Sequence, residues 1–205
     1  MSEKPSHAAE LAATYPSPRQ TSWVPREGRP WTVADLEALP DEDNHYELVR
    51  GDLLKMTPAK PEHGMYASRC DYAIRAFAQQ HDLGEVYIGE AGFQLAPDPA
   101  AIVRCPDVAF VRKDRIPKAP TSTFWPLAPD LVVEVISDSE PAAEIESKVA
   151  DYRAAGVKLI WLVYPRTQSV VEHRGDQLRR FTKSDSLDGG EVLPGFALPL
   201  ANLFR

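Results

Sequence analysis

Three consecutive segments decide the fold: residues 129–137 are PDLVVEVIS, residues 142–156 are AAEIESKVADYRAAG, and residues 158–165 are KLIWLVYP. The first and third are apolar runs of the kind found in strands that are covered on both faces. The middle segment carries an apolar stripe at helical spacing, made of Ile145, Val149 and Tyr152. It ends before Gly156, which suits the position that follows a helix. The segments therefore predict a strand at 131–136, a helix at about 142–155, and a strand at 158–164.

The rest of the chain adds further strands and two helices. Strand patterns occur at residues 46–49, 52–56, 85–88, 92–95, 106–111, 170–174 and 178–181. The first two flank an Arg-Gly turn and predict a hairpin. Thr32 can cap a short helix over residues 33–39, and Pro61 suits the first turn of a helix that runs to about residue 80. This order predicts an α/β fold with a mixed β-sheet flanked by helices.

Composition suggests one domain with a tail. The chain has 205 residues, of which 43% are apolar, and this is enough to build a core. Residues 1–30 contain five prolines among serine, threonine and charged residues, a composition that buries little surface. We expect residues 1–30 to form a flexible Pro-rich arm and residues 31–205 to form the folded domain.

Charge and cysteine content limit the classes of function. The formal net charge is −7, which gives no support for a broad basic nucleic-acid-binding surface but allows a local basic groove. Two cysteines without CxxC spacing indicate reduced thiols rather than a disulfide framework. No segment is long and apolar enough to span a membrane, and the N-terminus lacks the apolar region of a signal peptide. We expect a cytoplasmic protein.

Carboxylates within apolar strands are the main functional signal. Glu134 lies among leucine, valine and isoleucine, where an unpaired ionised carboxylate would cost several kcal/mol. Asp107 begins the strand PDVAFV. On the following helix, Lys148 falls beside the apolar stripe, so it could reach along the sheet surface. Two converging acids with a nearby lysine suggest a divalent-metal site for phosphodiester chemistry, and Mg²⁺ suits such oxygen ligands. A further strand acid, Glu47, could support this site.

Several motifs together resemble those of the Uma-type family of putative restriction endonucleases, within the PD-(D/E)xK nuclease superfamily. The stretches are YELVRGDLLKMTPAKPEHG, PDVAFV, PDLVVEVIS, DYRAAGVKLIWLVYP and VLPGFALPLANLF. The resemblance covers about residue 31 to the end. It implies a restriction-endonuclease-like core, a divalent metal and hydrolysis of DNA phosphodiester bonds.

The family pattern carries over to individual residues. Asp107 matches the aspartate of the PD half-motif, and Glu134 matches the acid of (D/E)xK. Two residues after Glu134 stands Ile136 instead of lysine, so the lysine role would move to Lys148. Under this interpretation Asp107, Glu134 and the backbone carbonyl of Val135 hold Mg²⁺, and Mn²⁺ should substitute. Glu47 would support the metal or bind it, and a homodimer is expected by analogy with nucleases that cut two strands.

Other interpretations stay open. Glu134 could pair with Arg104 or Arg153, Lys148 could form a solvated pair with Glu144, and Glu47 could pair with Arg50. His63 could contact a phosphate or a metal-bound water, although such a histidine is more often a packing residue. As a whole, the chain could therefore be a metal-dependent endonuclease, a nuclease fold that binds nucleic acid or a protein without cutting, or a structural protein that buries its acids in ion pairs.

Overall fold

The computed structural model describes residues 22–24, 26, 28–39, 45–56, 58–118 and 123–205. Its helices are α1 (Val33–Glu37), α2 (Pro61–Gln80), α3 (Ala142–Ala154) and α4 (Leu200–Leu203), and a 3₁₀ turn spans Lys113–Arg115. No helix in these ranges is long and apolar enough to cross a membrane.

A six-stranded sheet forms the centre of the fold. Its strand order is β11 (Gln177–Thr182), β10 (Ser169–Arg174), β9 (Leu159–Tyr164), β8 (Leu131–Val135), β7 (Val108–Arg112) and β4 (Gly84–Ile88). Strands β8 and β9 are parallel and are joined by α3, whereas the other neighbours pair antiparallel. The sheet is therefore mixed, as the sequence predicts.

A second, antiparallel sheet has five strands, in the order β1 (Ser22–Val24), β3 (Asp52–Met56), β2 (His45–Val49), β6 (Ile102–Arg104) and β5 (Phe93–Ala96). Strands β12 (Ser186–Gly189) and β13 (Leu193–Pro199) form a separate hairpin. Most of the predicted arm, residues 1–30, lies outside the described residues, so its flexibility stays a prediction. Within it, Ser22–Val24 pairs with β3.

Alternation along the central strands gives the large sheet two buried faces. One face packs Val133 and Phe110 against the α2 stripe of Tyr66, Cys70 and Ile74. On the other face, Val132, Ile136, Ile160 and Leu162 pack against Val149 and Tyr152 of α3. Strand β8 is covered on both sides, which explains its continuous apolar sequence. Glu134 points to the α3 side, because it shares the face of Val132 and Ile136.

Local signals mark the helix boundaries well. The Thr32 side chain accepts a hydrogen bond from the Asp35 N–H, and the Asp35 carboxylate accepts one from the Thr32 N–H, which is a capping box. Helix α1 nevertheless ends at Glu37, two residues before the predicted end. Helix α2 begins and ends where predicted. Gly156 has φ +87° just after α3, a conformation that favours glycine.

Candidate active site

Asp107 and Glu134 lie at the same end of strands β7 and β8 in the large sheet. Strand β7 pairs antiparallel with β8 in a register that sets Val108 opposite Val133. Asp107 directly precedes this pairing on the β7 side, and Glu134 directly follows it on the β8 side. The negative charge of Asp107 helps to raise the pKa of Glu134, which agrees with a short separation between the two carboxylates. The topology therefore brings together the two carboxylates that the sequence singles out.

The Asp107 carboxylate is held by the neighbouring strand. Its Oδ2 accepts a hydrogen bond of 2.7 Å from the Val135 backbone N–H. The Nε2 atom of His63, on α2, lies 3.0 Å from the same oxygen. His63 Nε2 has no further polar partner among the described residues. These contacts engage one oxygen of Asp107.

The Val135 carbonyl points toward Asp107 for a reason that lies in the sequence. The Ile136 N–H bonds to Val163 of β9, whereas the Val135 N–H points to the opposite side, toward Asp107. The N–H and C=O of one strand residue point to the same side. On that side the chain runs back from Val108 through Asp107 to Pro106, which has no N–H to donate. The Val135 carbonyl therefore receives no hydrogen bond from that position and can serve as a ligand.

Glu134 is buried, with 4% of its surface exposed, and both of its oxygens have partners. The Tyr152 hydroxyl donates a hydrogen bond of 2.5 Å to Oε1, and Lys148 Nζ lies 3.4 Å from Oε2. Burial raises the pKa of Glu134 to about 7, Lys148 opposes this rise, and the negative charges of Asp107 and Glu47 add to it. The partners of Glu134 are therefore a lysine and a tyrosine, and neither proposed arginine contacts it.

Lys148 points into the protein, as its position beside the helix stripe predicts. Only 4% of its surface is exposed, which excludes the solvated-face interpretation. Its ammonium lies between Glu134 and Glu140, whose Oε1 is 3.1 Å away. The neighbouring carboxylates raise the pKa of Lys148 against the effect of burial, so the group stays charged.

Glu47 is fully buried on β2, and its partner is Arg104 instead of Arg50. Arg104 Nη1 donates a 2.7 Å hydrogen bond to Glu47 Oε2, and the Cys105 backbone N–H donates a 2.9 Å bond to Oε1. Because both oxygens already accept hydrogen bonds, Glu47 is better suited to supporting the site than to direct ligation. The negative charge of Glu47 nevertheless helps to raise the pKa of both Glu134 and Lys148.

A buried ionic chain connects the small sheet to α3. Arg104 also bonds to Asp151 through Nε (3.1 Å) and Nη2 (2.6 Å), and Asp151 pairs in turn with Arg50 of the β2–β3 turn. Asp151 precedes Tyr152 and follows Lys148 by less than one helical turn. These ion pairs therefore anchor the part of α3 that presents Lys148 and Tyr152 to Glu134.

The donor set suits a hard cation that keeps several waters. Among the described residues no three His, Cys, Asp or Glu side chains form a ready-made metal site. The available ligands are two carboxylates, Asp107 and Glu134, and the Val135 carbonyl. Mg²⁺ is commonly bound by one or two carboxylates, with water and substrate phosphate completing its coordination. The residues present therefore fit Mg²⁺ better than a metal that needs a closed protein cage.

Sequence reasoning missed three parts of this arrangement. Tyr152 fits the apolar stripe of α3, and nothing in the sequence indicates that its hydroxyl reaches Glu134. Asp151 lies on the buried side of the same helix, where an acid is as unusual as Glu134 in a strand and gives a usable signal. Glu140 lies just before α3, and no sequence pattern indicates that it contacts Lys148.

Comparison with known proteins agrees with the resemblance. The model of the Uma2 family, described as "Putative restriction endonuclease", matches residues 33–201. Among solved structures, the chain is similar to a protein from Anabaena variabilis ATCC 29413, described as a putative nuclease belonging to DUF820. The two share 18% identity with a TM-score of 0.75, over 85% of this chain and 98% of the other, which shows a common fold. No curated protein matches the chain. On the span of the family match, this chain belongs to the Uma2 family.

Proposed function

We propose that this protein is a metal-dependent endonuclease that hydrolyses DNA phosphodiester bonds with Mg²⁺, for which Mn²⁺ can substitute. One observation carries the proposal: Asp107 and Glu134 lie at the same end of the paired strands β7 and β8, and Lys148 is buried beside Glu134. Membership in a family described as "Putative restriction endonuclease" supports the same chemistry.

Asp107, Glu134 and the Val135 carbonyl would hold the ion. Bound there, a divalent ion would polarise the scissile phosphate and lower the pKa of a water molecule. The Val135 N–H fixes one oxygen of Asp107, which leaves the other oxygen for ligation. The Tyr152 hydroxyl holds Glu134 Oε1, and Oε2 lies 3.4 Å from Lys148 Nζ, so ligation by Glu134 would use an oxygen that already faces a donor of the protein.

Lys148 would be the positively charged side chain beside the reacting phosphate. Its ammonium would orient the attacking water or stabilise the negative charge that develops on the phosphate oxygens. Glu140 holds the same ammonium from its other side, which restricts where the lysine can point. Glu47 supports the site from the small sheet through Arg104. A homodimer would supply two such sites for the two strands, a proposal that rests on analogy.

Cleavage of DNA by the purified protein tests this function. Supercoiled plasmid and single-stranded DNA are incubated with Mg²⁺ or Mn²⁺, and Asp107→Asn is compared with the wild type. We expect metal-dependent cleavage that the substitution abolishes while the circular dichroism spectrum stays unchanged. Full activity in Asp107→Asn would remove Asp107 from the mechanism.

A second candidate is a nuclease fold that binds nucleic acid or a protein partner without cutting. The observation in its favour is that both oxygens of Glu134, like both oxygens of Glu47, already accept contacts from the protein. Calorimetric titration with Mn²⁺ separates the two candidates. Binding that Asp107→Asn weakens favours the enzyme, whereas no Mn²⁺ binding by the wild type favours the module.

A further inference from the structure

A cavity of about 240 Å³ lies directly beside the candidate metal ligands. Val135 and His63 line it, together with Lys60, Ser137 and Arg166. Val135 offers the candidate carbonyl ligand, and His63 lies against the Asp107 carboxylate. A group bound in this cavity would therefore be a close neighbour of a phosphate at the metal.

Two cations at this cavity have no partner. Within the described ranges, Lys60 and Arg166 make neither an ion pair nor a side-chain hydrogen bond. The other arginines of those ranges bond to carboxylate, carbonyl, hydroxyl or amide oxygens, except Arg205 at the C-terminus. Both side chains are exposed. Because these two cations have no carboxylate partner, they are available to bind a phosphate group of the substrate.

The N-terminus of α2 contributes donors to the same cavity. Lys60 is the N-cap residue and gives the helix no side-chain cap, and Pro61 has no N–H. The N–H groups of Glu62 and His63 therefore have no partner within the helix. The helix dipole favours an anion at this end. The His63 side chain also lines the cavity, but its Nε2 faces Asp107 Oδ2 at 3.0 Å, so the donors available to an anion here are the helix N–H groups and the two cations.

Acidic side chains limit how strongly the cavity attracts anions. Glu62 and Asp138 also line it, and neither forms an ion pair with Lys60 or Arg166. Two cations and two acids leave the opening close to neutral. Binding there would therefore depend on directed contacts to one phosphate, which agrees with a chain whose net charge is −7.

We propose that this cavity is a subsite for a DNA backbone phosphate adjacent to the scissile one, bound by Lys60, Arg166 and the first N–H groups of α2. The inference rests on the proposed function, since it takes DNA as the substrate. Contacts to a non-reacting phosphate position the strand and act equally in the ground state and the transition state. Their loss should raise KM and leave kcat nearly unchanged.

The affinity of the protein for DNA, measured without metal and therefore without cleavage, tests the subsite. The probe is a fluorescein-labelled duplex of mixed sequence, followed by fluorescence anisotropy in EDTA at several salt concentrations. We expect Lys60→Gln and Arg166→Gln each to weaken binding by roughly three- to tenfold and to reduce the salt slope by about one. Lys183→Gln and Arg179→Gln, which replace exposed cations away from the cavity, are the matched controls. Glu62→Gln and Asp138→Asn should tighten binding.

The outcomes separate this subsite from the nuclease function. Equal affinity of the wild type and the Lys60→Gln/Arg166→Gln double variant, including no binding by either, overturns the subsite. The same holds for equal loss in the control variants. If the double variant nicks plasmid with the KM of the wild type, the subsite is wrong and the endonuclease stands. If the double variant loses binding and the wild type never cuts, the subsite stands and the endonuclease is wrong.

Discussion

Lys148 Nζ lies 3.4 Å from Glu134 Oε2, and both side chains are almost completely buried. The two residues come from adjacent elements, the lysine from α3 and the glutamate from β8. Ile136, which stands where the (D/E)xK pattern has lysine, packs in the core under α3. The ammonium of Lys148, which comes from the helix, therefore lies beside Glu134. The (D/E)xK pattern would instead supply this ammonium from a lysine at position 136.

Replacing Lys148 with methionine should nearly abolish cleavage. The substitution keeps most of the volume but removes the charge beside the reacting phosphate. Loss of one such stabilising group typically costs about 10²–10³ in kcat. Single-turnover cleavage of plasmid with saturating Mg²⁺ measures the effect. Lys148→Arg, which keeps the charge, should retain more activity than Lys148→Met.

Lys158→Met is the matched control, because Lys158 is exposed before β9 and lines a different cavity. Its cleavage rate should equal that of the wild type. Equal rates in Lys148→Met and the wild type would show that the buried ammonium takes no part in the reaction.

Metal binding should depend on pH through Glu134. Burial raises the pKa of Glu134 to about 7, and only the ionised carboxylate can ligate a cation. Below this pKa a proton competes with the metal, so the Mn²⁺ association constant should fall by roughly tenfold per pH unit, and above it the constant should level off. Calorimetry across this pH range measures the profile. A constant that does not change below pH 7 would contradict the assignment of Glu134 as a ligand.

Tyr152→Phe should move this profile to higher pH. The hydroxyl of Tyr152 donates a hydrogen bond to Glu134 Oε1, and this bond lowers the pKa of Glu134. Without the bond the carboxylate holds its proton to a higher pH, so the midpoint of Mn²⁺ binding should rise. Tyr72→Phe, at an exposed position of α2, is the control and should leave the midpoint unchanged. An unchanged midpoint in Tyr152→Phe would mean that the hydroxyl does not act on Glu134.

Arg104→Met should destabilise the fold strongly. The guanidinium is 2% exposed and pairs with both Glu47 and Asp151, so its removal leaves the buried Glu47 without a cation and leaves Asp151 with only the exposed Arg50. Breaking a buried ion pair in this way costs about 3–5 kcal/mol. Urea unfolding followed by circular dichroism measures the change in the free energy of unfolding.

Arg153→Met provides the comparison, since Arg153 pairs with Asp176 at the surface. The loss of that exposed pair should cost less than about 1 kcal/mol. Similar unfolding free energies for the two variants would show that the buried chain of charges contributes no more than a surface pair.

Local patterns predict much of this fold. The helix Pro61–Gln80 is defined by a proline at its start and by apolar spacing along its length. Strand β8 is defined by a continuous run rich in β-branched residues. Strand β7 starts at Val108, two residues later than predicted, because Pro106 cannot donate to the ladder and the Asp107 side chain takes the Val135 N–H. The sequence patterns do not predict β6, which has only three residues, or the β12–β13 hairpin, whose longer strand has seven.

Some residues of the candidate site can likewise be predicted from local sequence patterns, and others cannot. An acid in an apolar strand and a lysine beside a helix stripe are local signals, so Asp107, Glu134 and Lys148 could be selected from sequence. The partners of Arg104 are 57 and 47 residues away, and no local pattern encodes such pairings. Tyr152 fits a core stripe whether or not its hydroxyl has a partner. Its contact with Glu134 depends on how α3 packs on β8.

The most direct test of the central claim is nicking of supercoiled plasmid by the wild type and by Glu134→Gln, each with Mg²⁺ and with EDTA. The account predicts nicking only by the wild type with Mg²⁺, with both proteins equally folded by circular dichroism. Nicking by Glu134→Gln at the wild-type rate, or nicking that persists in EDTA, would contradict a metal-dependent nuclease built on Glu134.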